Sequence, residues 1–111
     1  MSKRWLFVMR HPPQSGLRVR ETLDMILTAA AFDQPVSLLY LDDGVYQLQS
    51  GQSGGDLLQA LDLYDVKTIL VERESMAIRT LTEADLAIPV RVISRAEVAG
   101  WVAAHDAVMG D

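Results

Sequence analysis

One stretch restricts the fold more than any other: Val36-Ser37-Leu38-Leu39-Tyr40-Leu41, an apolar run with almost no polar alternation, cut off by Asp42-Asp43-Gly44. A strand with one solvated face would alternate. A run this uniformly apolar needs cover on both faces, as in a parallel sheet packed between helices. The acids and the glycine then stop it, because Asp tolerates turn conformations and Gly reaches positive φ at no steric cost. In open α/β sheets the loops at the carboxyl ends of the strands meet ligands and partners, so Asp42, Asp43 and Gly44 are the first place to look for function.

The segments on either side fit the same plan. Arg4–Met9 reads as a first strand, closed by the proline-bearing loop Arg10–Gly16. Leu17–Phe32 reads as a helix whose Val19, Leu23, Ile26, Leu27 and Ala30 make one buried stripe at steps of three and four. A second stripe, Thr22, Met25, Ala29 and Phe32, runs beside it. The apolar arc is thus wider than one sheet face requires, which suits a helix lying under a loop or one also used in subunit packing. After Asp33-Gln34-Pro35 comes the apolar strand, and after its turn Val45-Tyr46-Gln47-Leu48 reads as a short helical piece.

Gln49–Gly55 is polar and glycine-rich. Ser53 with Asp56 then reads as a cap opening a helix through Leu57, Leu58, Leu61 and Tyr64. Val66–Val71 is the next strand, Glu74–Leu81 a short helix, Thr82–Asp85 a capped turn and Ile88–Ile93 a further strand. Ser94-Arg95-Ala96-Glu97 is a capping box opening a last helix with Val98, Trp101, Val102 and His105 on one face, and Asp106–Met109 reads as an edge strand. The alternation predicts a single-domain α/β three-layer sandwich, flavodoxin-like or Rossmann-like, with a mostly parallel sheet of about five strands. At 111 residues there is no room for a second lobe.

The chemistry is bounded first by what is missing. Zero cysteines exclude disulfides, thiolate metal sites and a cysteine nucleophile. A formal charge of −5 gives no electrostatic help in gripping nucleic acid. No apolar run approaches the roughly 20 residues of a membrane span or makes a signal peptide, so the expected location is the cytoplasm.

Of the polar candidates, Asp42 and Asp43 could hold a hard cation or could cap the short helix after them. His11 could act as acid or base with either, but Ser15 and Ser75 lack a nucleophile elbow. Gly51-Gln52-Ser53-Gly54-Gly55 could cradle a small anion or nucleotide, yet it lacks the lysine of a phosphate loop. Glu72, Arg73 and Glu74 form a charged cluster after a strand and could specify which surface docks where. The expectation is no catalytic residue, no metal and no cofactor.

Taken together, Tyr40-Leu41-Asp42-Asp43-Gly44-Val45-Tyr46-Gln47-Leu48, Leu61-Asp62-Leu63-Tyr64-Asp65-Val66, and Ser75-Met76-Ala77-Ile78-Arg79 followed by Leu81-Thr82 resemble the TusC (DsrF-like) branch of the DsrE/F-like sulfur-relay family. The likeness runs over nearly the whole chain. It implies a non-catalytic subunit assembled with TusB-like and TusD-like sisters in a dimer of heterotrimers. That complex would pass persulfide sulfur through a TusE-like carrier toward 2-thiouridine at the tRNA wobble position, or would serve sulfur oxidation.

The resemblance places the sulfur-bearing cysteine on the TusD-like sister, at the start of the helix after the middle strand. The matching loop here is Val71-Glu72-Arg73-Glu74-Ser75, which has no thiol. The residues expected at subunit interfaces are Met25, Phe32, Asp42, Asp43, Gly44, Tyr46, Glu72, Arg73 and Glu74.

Overall fold

The computed structural model describes residues 3–50, 61 and 63–110. Five strands form one sheet in the order β4-β3-β2-β1-β5: β1 is Trp5–Met9, β2 Val36–Tyr40, β3 Thr68–Glu72, β4 Arg91–Ile93 and β5 Ala107–Gly110. Every pairing is parallel. Among the described residues, α1 is Leu17–Ala31, α2 Arg73–Ile78 and α3 Val98–Ala103.

The apolar run forms the central strand, as expected, with Leu38, Leu39 and Tyr40 fully buried. The two sheet faces divide the core. Phe7, Met9, Leu38, Tyr40, Ile69 and Val71 meet Val19, Leu23 and Ile26 of α1. Leu6, Val8, Leu39, Leu41, Leu70 and Ile93 meet Val98, Trp101 and Val102 of α3.

The terminal edge strand forms and joins the far side of β1, Trp5 opposite Ala107. It is pinned by the Arg4 backbone N–H, which donates to Asp106 Oδ2 at 2.8 Å and holds that carboxyl below the usual carboxylate range. The capping box is present, with the Ser94 N–H donating to Glu97 Oε1 at 3.1 Å. It opens a 3-10 turn, Arg95–Glu97, that leads into α3.

Two local readings are revised. The helix after β3 begins at Arg73 and ends at Ile78, earlier than its apolar spacing suggested, and Thr80 turns the chain with φ 55°. The acidic turn is the start of a 3-10 helix, Asp42–Leu48, and the residue with positive φ is Asp42 (51°), not Gly44. Gly44 is needed for a different reason: a Cβ there would collide with the Met9 carbonyl, because this helix lies directly on the end of β1. The predicted cap at Ser53 and Asp56, with Leu57 and Leu58, lies outside the described residues. Leu61 is helical and fully buried.

The close approach at Gly44 has a measurable cost if filled. Gly44→Ala is expected to destabilise the chain by about 1–3 kcal/mol, since backbone must move to admit the methyl group. Urea denaturation followed by circular dichroism measures it, and an unchanged midpoint would contradict the packing described.

Candidate functional site

Parallel pairing brings the carboxyl ends of β1 to β4 to one edge. Met9 pairs with Tyr40, Tyr40 with Val71 and Val71 with Val92, so the next residues along the four strands, Arg10, Leu41, Glu72 and Ile93, stand in one row. Within this row Leu41, Glu72 and Ile93 are buried. A carboxylate among apolar neighbours must be paired or protonated.

It is paired. Arg95 Nη2 reaches Glu72 Oε1 at 3.0 Å, and the Ser75 hydroxyl donates to the same oxygen at 2.6 Å. Ser75, itself buried, accepts the Asp42 backbone N–H at 2.8 Å, and the left-handed turn at Asp42 is what presents that N–H. Burial pushes the Glu72 carboxyl up, but the hydrogen bonds from Arg95 and Ser75, with the charges of Arg95 and Arg79, outweigh it and hold it below its ordinary 4.5. A second pair closes the loop from outside: Arg79 Nη2 lies 2.9 Å from Asp43 Oδ1, and Arg79 Nη1 donates to the Ser75 carbonyl at 3.1 Å. Glu74 accepts the Arg95 backbone N–H at 3.0 Å on both oxygens. Side chains and backbone from the ends of β2, β3 and β4 are thus tied into one network.

The predicted interface residues therefore separate. Asp42, Asp43 and Arg73 are exposed, and Tyr46 and Glu74 half-buried. Gly44 and Glu72 are buried, which corrects their reading as surface specifiers: Gly44 lies against the β1 backbone, and Glu72 points into the core face below α3. The second stripe of α1 also divides, with Thr22 in the core and Ala29 packed against it, leaving Met25 (43% exposed) and Phe32 (74%) outside.

Asp42 does not cap the 3-10 helix with its side chain, and no group of three or more His, Asp or Glu converges as a metal site among the described residues. The His11 ring meets Arg18 Nη1 at 3.1 Å, and of its two candidate acid–base partners, Asp42 and Asp43, the second is engaged by Arg79. The loop Gly51–Gly55 lies outside the described residues. Ser75 and Arg95 are the residues that sequence reasoning missed. Their spacing of 3 and 23 from Glu72 becomes meaningful only once β3 and β4 are adjacent.

As for its chemistry, this edge holds the Glu72 carboxylate rigidly and does not present the Ser75 hydroxyl as a nucleophile. Ser75 is 1% exposed and its base partner is a weakened one.

The linkage follows from the direction of the Glu72 shift. A carboxyl held below 4.5 in the fold contributes stability that is fully present above that value and is lost as pH falls through the folded value. Urea midpoints measured from pH 6 down to about pH 3 should fall, and Glu72→Gln should flatten that part of the profile. Ser75→Ala removes one donor to Glu72 and unpairs the Asp42 N–H. It is expected to cost about 1–3 kcal/mol at neutral pH.

Comparison with known proteins adds three findings. The model of the DsrE/DsrF-like family matches residues 3–110. The chain is 37% identical to a protein TusC homolog of Pseudomonas aeruginosa over 98% of both chains, and 34% identical to one of Vibrio vulnificus over 85% of this chain and 86% of that one. It is 38% identical to the intracellular sulfur oxidation protein DsrF of Allochromatium vinosum over 76% of this chain and 68% of that one. Among solved structures, the ychN protein of E. coli superposes with a TM-score of 0.84 at 17% identity, covering 98% of this chain and 99% of that one. Protein MTH1491 of Methanobacterium thermoautotrophicum superposes at 0.79 and 16%, covering 99% and 100%. At such identity these two speak for the fold alone.

Proposed function

Because the chain belongs to the DsrE/DsrF-like family, we propose that it is a cysteine-free structural subunit of a TusBCD-type sulfur-relay complex that serves wobble-uridine 2-thiolation in the cytoplasm. Its sisters are a TusB-like and a TusD-like chain, and a TusE-like carrier receives the sulfur from the complex. The observation that carries this reading is the occupied loop after β3. A persulfide carrier needs an accessible, activated thiolate there. This loop instead holds a buried carboxylate paired with Arg95 and Ser75. The similarity to TusC homologs across the full length supports the subunit role, and the similarity to DsrF supports a second reading in which the same subunit works in sulfur oxidation.

The contribution of such a subunit is contact. Met25 and Phe32 expose apolar surface that a sister of similar shape would bury. Asp42, Asp43, Arg73 and Glu74 mark an edge where wrong pairings would bring like charges together. The tight Glu72 network keeps that edge in one geometry, which a docking surface needs.

Tagged chain recovered from its own cells is expected to bring down two companions of similar size in equal amounts, with the mass of a doubled heterotrimer by light scattering. Met25→Asp with Phe32→Asp should release the companions while leaving the thermal midpoint of the isolated chain nearly unchanged, since both side chains are exposed. A monomer that ignores co-expressed sisters would overturn the proposal. Sulfur-oxidation enzymes among the companions would favour the second reading.

A further inference from the structure

The face of the sheet under α3 loses its apolar character toward the amino ends of its strands. Because alternate residues share a face, Leu39, Leu70 and Leu6 lie there together, with Ser37 and Thr68 toward the amino ends of their strands and Glu72 toward the carboxyl end. Helix α3 has six residues, about 9 Å of length, against the ~16 Å of a five-residue strand. It covers the middle and leaves the amino end open. There, at the edge opposite the site above, Ser37 pairs with Thr68 in the ladder, and a cleft of about 440 Å³ opens between them, Lys67, Arg91 and Trp101. A second cavity of about 350 Å³ shares Ser37, Lys67 and Thr68 and extends the cleft to Arg4, His105 and the Asp65 carboxylate.

The lining runs against the charge of the molecule. In a chain with five more acids than bases, the larger cavity is lined by two cations and no carboxylate. The Arg91 guanidinium lies 5.0 Å from the centroid of the Trp101 ring, a cation resting on an aromatic face at the mouth of the cleft. Lys67 is paired with Asp65 at 3.3 Å, but both are more than 70% exposed, and such pairs exchange readily for a better anion. Two hydroxyls, two cations, and the apolar surface of Pro89 and Trp101 stand together in a volume suited to a small molecule. The charges suit an oxyanion, and the flat apolar wall suits the body that carries it.

We propose that this cleft, at the amino ends of β2, β3 and β4, binds a small organic oxyanion, a phosphate or carboxylate carried on a planar or apolar group. Arg91 and Lys67 hold the charge, Ser37 and Thr68 donate hydroxyl hydrogen bonds to it, and Trp101 with Pro89 flanks the body. The site is separate from the carboxyl edge used above and stands whether or not the chain works within a sulfur-relay complex.

Titration of the full-length chain with phenyl phosphate, benzoate, inorganic phosphate and phenol, followed by ¹H–¹⁵N correlation spectra, tests it. Phenyl phosphate or benzoate should give saturable shifts at the Trp101 indole N–H and the Thr68 and Arg91 amides, and whichever binds more tightly identifies the acid. Inorganic phosphate and phenol should each bind at least about tenfold more weakly, since each lacks half of the recognised chemistry. Arg91→Gln with Lys67→Gln should weaken binding by a similar factor with the circular dichroism spectrum intact. Absence of saturable shifts, shifts undiminished in the double variant, or shifts centred on residues 42–48 would overturn the proposal.

Discussion

A carboxylate buried to 4% exposure is the constraint around which one whole edge of this protein is arranged. Leaving Glu72 charged in an apolar row is costly unless donors surround it, and leaving it unpaired costs far more than a weak surface pair would return. The donors come from three places. Arg95 arrives from the turn after β4, Ser75 from the first turn of α2, and through Ser75 the backbone of Asp42 from the turn after β2. Each of these turns has another anchor, in the Glu74 carboxylate, the Arg79 guanidinium or the Gln47 amide that donates to the His11 carbonyl at 2.7 Å. The loops that in many α/β proteins are free to close over a substrate are here fastened to one another. That is a reason to read the edge as a surface of fixed shape.

Much of this architecture was legible in the residues. The uniform apolar run from Val36 to Leu41 demanded two covered faces, and the sheet provides both. The Ser94–Glu97 spacing announced a capping box that the backbone confirms. The family resemblance, resting on the stretch from Tyr40 to Leu48, agrees with the match over residues 3–110.

The failures have a common cause, which is that a linear pattern cannot say which neighbour a charge will meet. Glu72 looked like one of three charges in a cluster that could specify docking, yet it is the last residue of β3 and is buried, while Arg73 beside it is exposed as the first residue of α2. Gly44 looked like a residue chosen for positive φ, and its real constraint is the carbonyl of a strand 35 positions away. Thr22 and Ala29 looked equivalent to Met25 and Phe32 by spacing, but the sheet reaches only the first pair.

The position of β5 carries a consequence for how the polypeptide reaches this state. The ladder that finishes the sheet joins Trp5–Val8 to Ala107–Gly110, and the clasp at its entrance spans 102 positions. During synthesis β1 is made before β2 and can pair early with it, but its other flank has no partner until the ribosome has delivered Ala107–Gly110. For that interval the nascent protein carries an unprotected row of amides and carbonyls along a strand as apolar as Leu6-Phe7-Val8, the kind of edge that recruits foreign strands. Closure is therefore a late, long-range event, and it is the step at which chaperones or an already folded companion have the most to shield.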